Sequence, residues 1–164
     1  MIKILLSVII IFILIIFQTS LYPYLEVGNA FPNLILILVL VLSILKGYKK
    51  SLAWIIIGGL FLDIFSFNNP IGISILGLFL IGYLAYFFSQ NIFKKSGIFP
   101  IILIAISGTL IYRLVLILVL FIAGINFQLS FKQLLFQIIY NVIILIPLFY
   151  LVKKITSRQI NKNA

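Results

Sequence analysis

IFPIILIAISGTLIYRLVLILVLFIA, residues 98–123, carries one charge, Arg113. At 1.5 Å per residue a helix of this stretch is about 39 Å long, more than the roughly 30 Å of hydrocarbon in a bilayer. Residues 101–106 are apolar without a break, which excludes the alternating pattern of a membrane barrel strand. Backbone N–H and C=O groups cannot be left unpaired in lipid, so a spanning segment that is not a barrel strand is a helix.

Working outward, further apolar stretches occupy residues 3–22, 33–46, 51–68, 71–90 and 132–152. The reading is an all-α bundle of about six transmembrane helices, one polytopic domain over residues 1–164. Of the 164 residues, 65% are hydrophobic and 9% charged, against roughly 45–50% apolar in a soluble domain. The second stretch is short for a crossing and predicts a thin or tilted partner in a hairpin with the third. Pro23, Pro32, Pro70 and Pro100 fall at or near span ends, where a missing N–H does least harm, and Pro147 lies inside the last span. The first stretch, preceded by Lys3, has a long apolar core and no A-x-A-like site after it, which predicts an uncleaved span.

The formal charge is +10, but the basic residues lie beside apolar spans rather than on a globular face. Lys3 precedes the first span. Lys46, Lys49 and Lys50 follow the second, Lys94 and Lys95 the fourth, and Lys153, Lys154, Arg158 and Lys162 the sixth. Only Lys132 lies on the opposite side. Counted by the positive-inside rule, this alternation puts both termini in the cytoplasm. Between the first two spans, Tyr22, Tyr24 and Phe31 fit an interfacial aromatic belt around the lone Glu26.

There are no cysteines and no histidines, and two acidic residues in all. That inventory excludes a nucleophile-histidine triad, a thiolate metal site and an acid cluster, and it predicts no enzyme, no cofactor and no metal. An intramembrane aspartyl protease needs two carboxylates sharing protons, and Asp63 is the only aspartate.

Charges within spans are costly and mark sites of interest. Asp63 and Arg113 fall at similar depth, toward the outer face, and are expected to form an ion pair tying span three to span five, with Gly59 permitting a close approach. Ser74, Gly77, Gly82, Ala85 and Ser89 fall on one arc of span four, a small-residue face for helix packing or for a partner's spanning helix. Gln133, Gln137, Tyr140 and Asn141 recur at helical period on span six as a polar stripe that should face protein rather than lipid.

The order of elements from residue 31 to 90 resembles the rod shape-determining MreD family. The residues that carry the resemblance are Pro32-Asn33-Leu34, the basic hairpin Lys46-Gly47-Tyr48-Lys49-Lys50, Gly58-Gly59-Leu60-Phe61-Leu62-Asp63, Pro70-Ile71-Gly72 and Gly82-Tyr83. The family often has an acidic residue where Asn33 stands. The resemblance implies a non-enzymatic subunit of the lateral peptidoglycan elongation complex in the bacterial cytoplasmic membrane. Its implied partner is the single-span protein MreC and, through it, the actin-like MreB, RodA and a class B penicillin-binding protein. It also implies a fold like that of the substrate-binding S components of energy-coupling factor vitamin transporters. An S component is itself the alternative function, but the first span, over residues 4–17, lacks the alanine or glycine that such subunits use to dock their coupling protein.

Overall fold

A helix with apolar residues on every side can sit wholly inside a bundle. That is the place of α2, Leu34–Lys46, whose residues 35–43 are all buried. The structure is a computed structural model describing residues 2–25, 30–65, 70–91, 98–125 and 130–162, with the side chains of 2–7, 21–25 and 157–162 outside the description. Among the described residues, five helices surround α2: α1 (Ile2–Leu25), α3 (Tyr48–Phe65), α4 (Ile73–Asn91), α5 (Ile98–Ile122) and α6 (Phe131–Lys162).

The short second span pairs with α3 in the expected hairpin, and it lies in the middle of the bundle. It is a 13-residue apolar helix buried in protein along most of its length. Sequence neighbours touch around it, α3 with α4, α4 with α5 and α5 with α6, while α1 packs on α2 and α3. Among the described residues α1 and α6 do not meet.

Among the described residues, three helices are long and apolar enough to cross a membrane: Ile73–Asn91, Ile98–Ile122 and Phe131–Thr156. Their outward faces carry large exposed apolar side chains, including Phe79 on α4, Leu114 and Leu118 on α5, and Ile139 and Ile143 on α6. A soluble protein would not present such faces. Pro100 sits in the first turn of α5 and α6 continues through Pro147.

Glycines set the closest approaches. Gly47 alone joins α2 to α3, with φ +84°, a conformation L side chains rarely adopt. Beside it the Ser43 hydroxyl donates to Ser51 Oγ, and Ser51 Oγ donates to the Tyr48 carbonyl, closing the hairpin. At Gly59 an added Cβ would lie 2.7 Å from Ile75 Cα and 2.8 Å from its nitrogen. The close approach expected at Gly59 is thus made to the backbone of α4. The side chains of Lys3, Tyr22, Tyr24, Arg158 and Lys162, and all of Glu26, Lys94 and Lys95, lie outside the description.

Candidate functional site

Helix ends leave backbone donors without partners, and inside a bundle no water meets them. The protein meets this demand at one end of the bundle with polar side chains sent from neighbouring helices. Asp63, near the C-terminal end of α3 and 2% exposed, accepts from Gly72 N at 2.7 Å and from Ser74 N at 2.9 Å. Gly72 occupies the capping position of α4, its carbonyl accepting from Leu76 N. It has no side chain to cap with, so an aspartate on the preceding helix supplies the acceptor. A carboxylate at a helix N-terminus also meets the positive end of the helix dipole.

The start of α2 is treated the same way. Asn33 caps its own helix by accepting from Leu36 N at 3.0 Å, the residue type and spacing of an N-cap. The Leu34 N–H donates to Gln18 Oε1 of α1, and the Asn33 N–H donates to Asn141 Oδ1 of α6, both at 3.0 Å. An aspartate at position 33 would cap equally well.

Two residues of α5 complete the cluster. Tyr112 donates its hydroxyl to Ser74 Oγ at 3.1 Å. Thr109 donates to the Ala105 carbonyl and accepts from Asn141 Nδ2 at 3.0 Å. Gln18, Asn33, Asp63, Ser74, Thr109, Tyr112 and Asn141 thus link all six helices. The hydroxyls of Ser74, Thr109 and Tyr112 are all engaged in hydrogen bonds. Asn141→Leu removes the bonds to α2 and α5 at once. It is expected to lower stability by about 1–2 kcal/mol, read as an earlier thermal transition in detergent.

The residues singled out in the sequence fall into three groups. Asp63 is central to the cluster and is linked to α5 through Ser74 and Tyr112. Arg113, half-buried, is the next position along α5, and Tyr112 lies within electrostatic reach of both Asp63 and Arg113. On α4, Ser74, Gly77, Gly82 and Ala85 are buried within the chain and Ser89 is half-buried. Gly77 admits the Tyr112 ring, where a Cβ would lie 2.8 Å from Cδ2, and Gly82 admits Ile55, Ser43 and Val39. That face packs within the bundle. On α6, Gln137 and Asn141 are buried and Gln133 and Tyr140 half-buried.

Gln18, Thr109 and Tyr112 were not singled out. Asn33 had a legible signal, an N-cap residue immediately before an apolar run. Tyr112 had none, because its place depends on Gly77 in another helix.

Most of the family-like motif is gathered in this architecture. Asn33 caps α2, Gly59 lets α3 touch α4, and Asp63 holds Gly72 and Ser74. No curated protein and no solved structure matches the chain. The family described as rod shape-determining protein MreD matches over residues 1–158. With nearly the whole sequence matched, the chain belongs to the MreD family of rod shape-determining membrane proteins.

Proposed function

We propose that the chain is a non-enzymatic subunit of the bacterial lateral cell-wall elongation complex, acting as a scaffold or regulator beside MreC. Through MreC it associates with MreB, RodA and a class B penicillin-binding protein. The observation that carries this reading is family membership over residues 1–158. The polar cluster supports it, since its side chains are spent on joining helices and a scaffold needs a bundle that keeps its shape in lipid.

The proposal includes six crossings in the cytoplasmic membrane, one polytopic domain with an S-component-like bundle, and both termini on the cytoplasmic side. Register supports the topology. Asn33 and Asn141 are 108 residues apart and bonded. The same separation relates Lys46 to Lys154, so the basic hairpin after α2 is level with the basic end of α6. The lysines at that end have no acidic residue near them in sequence.

A direct Asp63–Arg113 pair is a separate proposal. Exchanging the two charges tests it: recovery of a function lost in each single reversal supports the pair, and an inserted but inactive double variant counts against it.

The functional reading is tested by depleting the chain in its own bacterium. Loss of rod shape, restored by the wild-type chain and with vitamin uptake unchanged, is the expected result. Normal shape with impaired uptake of a vitamin would replace the scaffold with an S component.

A further inference from the structure

Lys46, Lys49 and Lys50 bracket the turn from α2 to α3, the first half-buried and the other two exposed. Asp63, the one acidic residue described, is fourteen positions along α3 from Lys49, about 21 Å, and is engaged there by Gly72 and Ser74. Among the described residues no acid therefore neutralises the three turn lysines.

The turn that carries them is fixed. Gly47 joins the helices at φ +84°, Lys50 N donates to the Gly47 carbonyl at 3.2 Å, and Ser43 and Ser51 tie α2 to α3. The turn is also seated on α4: the Tyr48 ring meets Phe79 and Tyr83 edge to face, with centroids 5.5 and 5.7 Å apart. The positive charge is thus held beside one particular stretch of α4.

That stretch is an outward ridge of large apolar side chains. Leu76, Phe79 and Tyr83, at i, i+3 and i+7, are 60, 49 and 50% exposed on a helix long and apolar enough to cross a membrane. The ridge runs about 10 Å from the level of the turn toward the bilayer centre, against roughly 15 Å for one leaflet's hydrocarbon. Acyl chains suit it better than a spanning helix does. Close helix packing in lipid uses small residues, and those of α4, Ser74, Gly77, Gly82 and Ala85, are buried inside the chain.

We propose that the α2–α3 turn and the α4 ridge form a binding site for an anionic phospholipid. Lys46, Lys49 and Lys50 take the headgroup phosphate, and Tyr83, Phe79 and Leu76 lie along the acyl chains. Lysine suits this role, as a point charge on a flexible stem that follows a phosphate without fixed geometry. The inference rests on the reading of the chain as membrane-spanning and is independent of its place in the elongation complex.

The test uses the full-length chain in detergent, offered phosphatidylglycerol or phosphatidylcholine, with retained lipid counted by native mass spectrometry. A lysine near a membrane surface favours anionic lipid by about fivefold, so three should give a preference for phosphatidylglycerol of about tenfold or more. The triple variant Lys46→Gln, Lys49→Gln, Lys50→Gln should lose that preference, the corresponding triple arginine variant should keep it, and Lys153→Gln with Lys154→Gln should leave it unchanged. Equal retention of the two lipids by the wild-type chain overturns the site, whether or not the triple variant inserts, and leaves the spanning reading standing. A chain released from its membranes by alkaline carbonate without detergent defeats both.

Two further results would overturn the proposal. Loss of preference in the Lys153 and Lys154 variant equal to that in the triple variant would mean diffuse attraction to the surface, and displacement of lipid by glycerol phosphate as readily as by phosphatidylglycerol would mean a site for free anions. A photo-crosslinking residue at position 83 identifies the occupant: capture of phospholipid supports the inference, and capture of a second copy of this chain or of another protein overturns it.

Discussion

Asp63→Leu is expected to remove about 3 kcal/mol or more of stability, the largest loss from any single polar side chain. Two donors, Gly72 N and Ser74 N, depend on its carboxylate. Each hydrogen bond to a charged group contributes about 1.5–3 kcal/mol, and a buried donor left unpaired costs about 1–3 kcal/mol. Part of the loss is offset because leucine removes a charge that is itself costly to bury. Asp63→Asn keeps one acceptor but turns an NH2 group toward a second donor, so it should lose roughly half as much. Thermal unfolding of the purified protein in detergent, with insertion checked in membranes, reads both. A transition unchanged in Asp63→Leu would mean that α4 needs no cap from α3.

Gly59→Leu should be as damaging for a different reason. The atoms facing an added Cβ are Ile75 Cα and N, at 2.7 and 2.8 Å, and a helix backbone cannot rotate away as a side chain can. Overpacking ordinarily costs about 1–3 kcal/mol, and here relief requires α3 and α4 to separate. Separation would also draw Asp63 away from Gly72 and Ser74. The two substitutions therefore act on one contact, and the double variant should lose clearly less than the sum of the singles. Full additivity would show that the glycine contact and the carboxylate cap are independent. Gly77→Ala makes a useful comparison, since there the clash is with the Tyr112 ring, which can shift.

What the sequence made legible follows from what hydropathy encodes. Apolar runs and prolines marked six helices, and the ends of α2 and α5 fell within a residue of their expected places. Ser74, Gly77, Gly82 and Ala85 of α4 and Gln137 and Asn141 of α6 are buried, with Ser89, Gln133 and Tyr140 half-buried; such spacing along one helix is a local property and can be read from sequence.

The partners of those faces were not legible. Asp63 accepts from the main-chain nitrogens of Gly72 and Ser74, and any residue but proline carries such a nitrogen. Charge complementarity drew attention to Arg113 because arginine is the visible cation, whereas the start of a helix is also a positive site and leaves little mark in the sequence. The central place of α2 was hidden likewise, since a short apolar run reads equally as a thin span or as a core helix. The fit of Tyr112 against Gly77 joins residues 35 apart with no shared pattern.

These observations describe a bundle whose buried polar side chains hold helix ends. The central claim is that such a bundle serves the elongation complex as a membrane subunit. The most direct measurement is affinity recovery of the tagged full-length chain from gently solubilised membranes of its own bacterium, with mass spectrometry of what accompanies it. The account predicts MreC together with elongation enzymes; recovery of a transmembrane coupling protein with two ATPases, and no MreC, would contradict it.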